Sequence, residues 1–163
     1  MSEEMKVIGN KIFFHKDVDD DSVLELVSIL YDFEQKFVSN VTIFIKSGGG
    51  DLYSGLSAMD HMKKSSLNIT TVADGLCASS ATLILYGGKR RLMMPNARVL
   101  IHQASSEFSG GKFDDLEDEK KHIKSLMRQM KKIYKGVPEE CMKRDIFLNS
   151  SKCIEYGIVE GIY

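Results

Sequence analysis

Segments rich in β-branched residues alternate along this chain with segments whose apolar residues recur at helical spacing. Residues 41–46, VTIFIK, give the clearest strand signal, and the apolar positions of residues 19–37 and 114–135 have the period of a helix. A helix between two strands returns the chain to the same end of a sheet, so that the two strands run parallel. The alternation therefore predicts a mixed α/β domain that contains parallel strand pairs.

The other expected elements are short and end at turn residues. Strands are expected within residues 6–15, on either side of Gly9-Asn10, and at 68–73, 91–94 and 98–103; helices are expected at 52–63, 79–86 and 150–156. Gly75 is expected to begin a turn after the strand at 68–73. The chain has two prolines and no low-complexity stretch, so no linker divides it. We expect a single domain over residues 1–163.

The charge balance and the cysteines argue against several classes of protein. Because the chain has 22 basic and 23 acidic residues, it carries no surplus of positive charge, and no nucleic-acid partner is expected. No apolar stretch approaches the roughly 18 residues of a membrane span, and the N-terminus lacks a signal-peptide core. Cys77, Cys141 and Cys153 are odd in number and lack ligand spacing, so we expect no disulfide framework, no metal and no cofactor. A reducing, cytoplasmic setting is expected.

Three consecutive glycines, Gly48, Gly49 and Gly50, follow the strand at residues 41–46. Glycine backbone adopts φ values closed to other residues and lets a ligand approach closely, and exposed N–H groups there can bind an oxyanion. The loop lacks the Gly-Lys-Ser/Thr of a P-loop and the G-x-G-x-x-G spacing of a dinucleotide site. A tight strand-to-helix turn explains the same residues.

Ser79 begins an apolar run that is expected to form a short buried helix. A hydroxyl at this place lies near the positive end of the helix dipole, and the N–H of Ser80 is free to hold a negative oxygen. The flanking residues do not form the G-x-S-x-G elbow. Ser79 as a plain helix N-cap is the alternative interpretation.

His102 follows an apolar strand, whereas His15, His61 and His122 lie among charged or polar neighbours and are expected at the surface. A histidine at the end of a buried strand can reach a cleft, although it can equally be a structural residue. Asp145 lies beside an arginine, as many surface carboxylates do. It could also accept a hydrogen bond from the second nitrogen of an imidazole and so orient a catalytic base.

Taken together, these features resemble the ClpP family of serine peptidases. The stretches that carry the resemblance occur in the family's order from about residue 7 to the end: IKSGGG (45–50), GLSAMD (55–60), CASSAT (77–82), PNARVLIHQ (95–103), RDIFLN (144–149) and EYGIV (155–159). The resemblance implies an α/β fold of the ClpP/crotonase type, a spiral of ββα units. It also implies a handle segment at residues 110–114 and a long handle helix over 114–135.

The resemblance assigns roles to particular residues. Ser79 would be the nucleophile, His102 the general base and Asp145 the residue that orients the base. The N–H groups of Gly49 and Ser80 would form the oxyanion hole. The backbone at Gly50 and Asp51 would pair with a substrate peptide by strand addition. Subunits of this family form heptameric rings, single or stacked, and the expected substrates are peptides or unfolded proteins.

Several positions depart from the family's pattern. Gly48 stands where the family has proline, Ala81 where it has glycine, and Ala104 where it has proline. The chain has little before its first strand, so that docking of a Clp ATPase unfoldase is less clearly expected. Three alternatives stay open: a catalytically idle assembly subunit, a crotonase-like acyl-CoA enzyme and a viral capsid-maturation peptidase of the same fold.

Overall fold

The computed structural model describes residues 4–102 and 112–163. The strands in these ranges are β1 (Lys6–Ile8), β2 (Lys11–Phe14), β3 (Asn40–Ser47), β4 (Asn68–Ala78), β5 (Arg90–Met93), β6 (Arg98–Leu100) and β7 (Gly161–Ile162). The helices are α1 (Asp20–Gln35), α2 (Leu52–Lys64), α3 (Ala81–Gly87), α4 (Phe113–Ile133), α5 (Glu139–Lys143) and α6 (Ser150–Glu155). Strands alternate with helices through the first half of the chain, as the sequence predicts.

The strands form one sheet in the order β1-β2-β3-β4-β5-β7, with β6 added beside β4. β1 and β2 are antiparallel, and every other strand pair is parallel. The predicted mixed α/β fold with parallel strand pairs is therefore confirmed. β2 and β3 pair in parallel because α1 carries the chain back between them, which is the connection that parallel strands require.

β4 is longer than the sequence predicts and changes its partner halfway. Its first part pairs with β5, from Thr70 to Ala73, and its last part pairs with β6, from Leu76 to Ala78. Gly75 lies between the two parts with φ of 68°, a left-handed conformation that glycine adopts at no steric cost. The expected turn at Gly75 is therefore a bend inside one strand. This bend directs the end of β4, and the residues after it, toward β6.

The helices α1, α2 and α3 pack in a layer on the sheet, and α3 is buried along its whole length. Two glycines let α2 approach α3 closely. A Cβ at Gly55 would lie 2.9 Å from the carbonyl oxygen of Ser80, and one at Gly87 would lie 2.8 Å from Met62 Sδ. This close contact fixes both ends of α3 and, with them, the residues that precede it.

Some expectations about element ends were wrong. α1 ends at Gln35, and Phe37, expected on its apolar face, has φ of 56° and is 92% exposed. The short elements α5 and β7 were not predicted from the sequence. Residues 110 and 111 of the expected handle segment lie outside the described residues, whereas α4 coincides closely with the expected handle helix.

Candidate active site

Ser79 lies between β4 and α3 in a strained backbone conformation. Its φ of 56° is left-handed, which is uncommon for a residue with a Cβ and frequent at functional sites. Its N–H donates to the carbonyl of Leu100 at 2.8 Å, and its carbonyl accepts from the Thr82 N–H at 3.0 Å and hydroxyl at 2.6 Å. Ser80, not Ser79, occupies the N-cap position of α3. The N-cap interpretation of Ser79 is therefore wrong, and its side chain faces a cleft.

Gly49 lies directly against Ser79. A Cβ added to Gly49 would lie 2.6 Å from Ser79 Cβ and 3.1 Å from its Oγ, and its φ is 102°. Only glycine fits there, so the close approach expected of the glycine run is present. The Gly49 N–H donates to Ser47 Oγ at 3.1 Å. For the Ser80 N–H, no backbone acceptor is found within residues 4–102 and 112–163.

Gly50 and Asp51 line the same cleft as Ser79, and Gly50 forms an isolated parallel bridge with Val18. The Val18 N–H donates to the Gly49 carbonyl at 2.8 Å, and the Asp51 N–H donates to the Val18 carbonyl at 2.7 Å. Backbone groups of successive residues in a strand point to alternate sides, so those of Gly50 point away from Val18. Among the described residues these Gly50 groups have no backbone partner. Gly50 thus offers an open strand edge next to the cleft.

The Asp51 carboxylate has a structural task in α2. It accepts from the N–H of Ser54 at 2.7 Å and from the Ser54 hydroxyl at 2.8 Å, as an N-cap does. These hydrogen bonds stabilise the charged carboxylate and lower the pKa of Asp51 below its usual value; the one from the Ser54 N–H has the larger effect and the one from its hydroxyl the next. The carboxylate is therefore ionised at neutral pH and holds the start of α2 beside Gly50.

His102 follows β6 by two residues, is half-buried and lines the same cleft as Ser79. Pairing between β6 and the end of β4 brings the two together, because Ala78 faces Leu100 in that ladder. The fold thus unites two of the three residues expected to be catalytic.

Asp145 is exposed, lies between α5 and α6, and is not among the described residues that line the cleft. Its chain segment nevertheless runs beside β6. Val99 and Leu148 form an antiparallel bridge with N–O distances of 3.0 and 2.8 Å. His102 lies three residues after Val99, and Asp145 lies three residues before Leu148. Because residue numbers run in opposite directions along antiparallel partners, both residues lie on the same side of the bridge. A tight turn, in which the Ile146 N–H donates to the Arg144 carbonyl, interrupts the ladder before it reaches them.

The cleft has a volume of about 310 Å³ and lies between these residues and one face of α4. The residues of α4 that line it share one face of the helix: Glu119, His122, Ile123, Leu126 and Met130. Just beyond α4, Tyr134 is buried, and its hydroxyl lies 2.6 Å from the Thr82 hydroxyl. This contact ties the end of α4 to the turn that holds Ser79.

The sequence model of the Clp protease family matches residues 5–163. The chain belongs to the Clp protease family. An ATP-dependent Clp protease proteolytic subunit of Adiantum capillus-veneris is 31% identical over 159 residues, which cover 91% of this chain and 80% of the relative. Chloroplastic ATP-dependent Clp protease proteolytic subunit 1 of Arabidopsis thaliana is 32% identical over 158 residues, 91% of this chain and 81% of the relative. The expected resemblance to ClpP peptidases is thereby confirmed.

Membership of the Clp protease family agrees with the mixed α/β fold and supports a peptidase role for the chain. Within residues 4–102 and 112–163, no helix has both the length and the apolar composition needed to cross a membrane. In the same ranges, no group of three or more histidine, cysteine or acidic side chains is arranged to hold a metal ion.

The three cysteines of this Clp protease family chain are free and buried. Burial raises the pKa of Cys153 to about 12, and burial likewise raises that of Cys77 far above its usual value. A thiol is nucleophilic only when it is deprotonated, so these two side chains are inert at neutral pH. The cleft itself is lined by two serine side chains, those of Ser79 and Ser80.

His122 is exposed, as expected from its polar neighbours, but it also lines the cleft, and its Nε2 lies 2.5 Å from Tyr53 Oη. The sequence contained a signal for this placement. His122 precedes Leu126 by four residues and Met130 by eight, which puts all three on one face of a helix. The polar residues around His122 in the sequence concealed that spacing.

Proposed function

We propose that this chain is a subunit of a serine endopeptidase in which Ser79 attacks the peptide carbonyl. The observation that carries the proposal is the left-handed Ser79 backbone, held against Gly49 and facing a cleft that His102 also lines. The backbone of Ser79 is hydrogen-bonded to Leu100 and Thr82. These hydrogen bonds support the proposal, because a nucleophile must be held in position before reaction.

In this proposal His102 acts first as general base and then as general acid. It takes the proton of the Ser79 hydroxyl as Oγ bonds to the carbonyl carbon, and it gives that proton to the leaving amine as the peptide bond breaks. Water then attacks the acyl-enzyme by the same route in reverse, which releases the new carboxylate and restores Ser79. Asp145 would orient the imidazole. The antiparallel register through Val99 and Leu148, which brings the segment of Asp145 toward His102, supports that role.

Gly49 and Ser80 would supply the two N–H groups of the oxyanion hole. The contact between Gly49 and Ser79, and the Ser80 N–H next along the chain, support this assignment. In the structure the Gly49 N–H is held by Ser47 Oγ, so it would exchange this partner for the oxyanion during reaction. Two such donors stabilise the negative oxygen by several kcal/mol, about 3 kcal/mol for one of them.

The substrate would be a peptide or an unfolded protein that adds a strand beside Gly50 and Asp51. The open N–H and carbonyl of Gly50 support this mode, which binds the peptide main chain and leaves side-chain choice to the cleft. The backbone N–H of Asp51 already pairs with Val18, so Asp51 would contribute by fixing the start of α2.

The same proposal includes a homo-oligomer, a heptameric ring or two stacked rings, with the cleft inside. Much of α4 is exposed, including Leu116 at 46%, which leaves apolar surface for another subunit. The relatives are named as proteolytic subunits of an ATP-dependent protease, and a Clp ATPase is accordingly the proposed protein partner. A cytoplasmic setting is proposed too, although one relative is named as chloroplastic. A stable monomer of about 18 kDa in native mass spectrometry would contradict the oligomer.

The central test is Ser79→Ala. Wild-type protein should react with a fluorophosphonate probe and cleave short peptides, and the variant should lose labelling and at least about 10⁴-fold in kcat. Ser28→Ala is the matched control, because Ser28 is exposed on α1 and its hydroxyl only bonds the Leu24 carbonyl. Labelling that persists in Ser79→Ala would show that another residue is the nucleophile.

A further inference from the structure

One side-chain pair spans the cleft from α2 to α4. Tyr53 is in the first turn of α2, and its Oη lies 2.5 Å from His122 Nε2 in the middle of α4. The two rings are also stacked, with centroids 6.2 Å apart and an interplanar angle of 22°. A hydrogen bond and a ring contact together define the orientation of both side chains, so the pair is a defined bar across the cleft.

This pair separates two parts of the cleft that differ in chemistry. On α4, Ile123, Leu126 and Met130 line the part toward the buried end of the helix, and Met130 is about 12 Å from His122 along the axis. Glu119 lies about 4.5 Å along the axis in the other direction. The part near Ser79 is therefore walled by aliphatic side chains on α4, and a carboxylate lies beyond the pair.

We propose that Tyr53 and His122 form a crossbar that closes the apolar part of the cleft and limits the size of the substrate side chain accepted beside the scissile bond. The inference rests on the proposed peptidase function and adds a specificity-determining pair to it. Both residues lie outside the catalytic set, but Tyr53 follows Gly50 by three residues, so the crossbar stands at the strand edge where a peptide would bind.

The dimensions of the cleft support a limit on size. A volume of about 310 Å³ must hold part of the peptide backbone as well as one side chain next to Ser79. If the crossbar limits the cleft as proposed, an aliphatic side chain should be accepted, whereas an indole ring should need the space that the Tyr53 ring occupies. Removal of either ring should therefore extend the apolar part toward Glu119.

The chain contains a second tyrosine–histidine pair that serves as a matched control. Tyr31 on α1 and His61 on α2 have their Oη and Nδ1 atoms 3.4 Å apart, with rings in an edge contact. Neither residue lines the cleft that contains Ser79. Their replacement makes the same chemical change at a surface where the proposal expects no effect on specificity.

The test compares kcat/KM for two peptide series, in which the residue before or after the cleavage point is Ala, Leu, Phe or Trp. In Tyr53→Ala and in His122→Ala, the ratio of kcat/KM for Trp to that for Leu should rise about tenfold or more in one series, through a lower KM for Trp. Tyr53→Phe retains the ring and should change the ratio by less than about threefold. Tyr31→Ala should retain the wild-type ratio.

Two results are distinguishable. If wild-type protein labels at Ser79 and cleaves the peptides, but Tyr53→Ala and His122→Ala keep its Trp-to-Leu ratio, the crossbar inference is wrong and the peptidase function stands. If the wild-type protein neither labels nor cleaves, the peptidase function itself fails, and the crossbar with it. Circular dichroism identifies a variant that does not fold, and the replacement on the other helix then decides.

Discussion

The helix α3, which directly follows the cleft residues Ser79 and Ser80, and the helix α4, one face of which lines the cleft, differ in how they are held. Every residue of α3 is buried, and glycines bring α2 into close contact with it. On α4, the residues from 114 to 129 are exposed or half-buried, and Met130 is the first of its described side chains to be buried. The proposed nucleophile, Ser79, therefore belongs to the rigid side of the cleft, and the wall proposed to meet substrate side chains belongs to the loosely held side.

This difference separates two requirements of a peptidase. Attack on a carbonyl needs the nucleophile and the oxyanion donors within a fraction of an ångström of their working positions, which close packing provides. Acceptance of varied side chains needs a wall that can adjust, and a helix with few buried contacts has a low local cost of movement. Replacements on the two sides should accordingly have effects of different kind and size.

The largest effect is expected from Gly49→Ala on the rigid side. The new Cβ would lie 2.6 Å from Ser79 Cβ, at a φ of 102°, so the loop must move and the proposed oxyanion donor would be misplaced. We expect kcat to fall about 10²- to 10³-fold, as for loss of one oxyanion donor, in peptide hydrolysis assays. Gly48→Ala is the control, because a Cβ there meets nothing within 4 Å, and its loss of kcat should be far smaller. Equal losses in both variants would show that general loop stiffness, rather than contact with Ser79, matters.

An intermediate effect, on stability, is expected from matched leucine replacements. Leu83 on α3 has no exposed surface, and Leu83→Ala should lower the free energy of unfolding by about 2–5 kcal/mol through lost burial and a cavity. Leu116 on α4 is 46% exposed, and Leu116→Ala should cost less than about 1 kcal/mol in an isolated subunit. Urea denaturation under conditions that keep the subunit monomeric measures both. Similar losses would contradict the distinction between a rigid and a loosely held side.

The smallest effect is expected where the two sides meet. The Tyr134 hydroxyl contacts the Thr82 hydroxyl, and the Thr82 hydroxyl donates to the carbonyl of Ser79. A chain of hydrogen bonds therefore joins the end of α4 to the backbone of Ser79. Tyr134→Phe keeps the buried ring and removes one hydrogen bond, which should lower the free energy of unfolding by about 1 kcal/mol. The fluorophosphonate labelling rate of Ser79 should fall at the same time. A normal labelling rate would mean that α3 alone positions Ser79.

The elements on both sides of the cleft, including α4, were largely predictable from the sequence, whereas the way in which distant segments meet at the cleft was not. The strand at 41–46, the glycine turn after it and the apolar run after Ser79 are local patterns, and each predicted its element. The link between Gly49 and Ser79 was expected only from the family resemblance. The change of strand partner at Gly75 depends on where β6 lies, which no local pattern contains. His122 faces the cleft because of how α4 packs at Met130 and Tyr134, far from His122 itself. The position of Asp145 depends in the same way on pairing between distant segments.

The hydrogen bond from the Gly49 N–H to Ser47 Oγ has a consequence for selectivity between states of the reaction proposed above. A neutral substrate carbonyl is no better an acceptor than a serine hydroxyl, so it gains little by displacing Ser47. A tetrahedral intermediate bears a full negative charge and accepts the same N–H far more strongly. The Gly49 N–H would thus remain with Ser47 in the ground state and be taken up by the negative oxygen, and an interaction made only near the transition state is the kind that lowers the barrier.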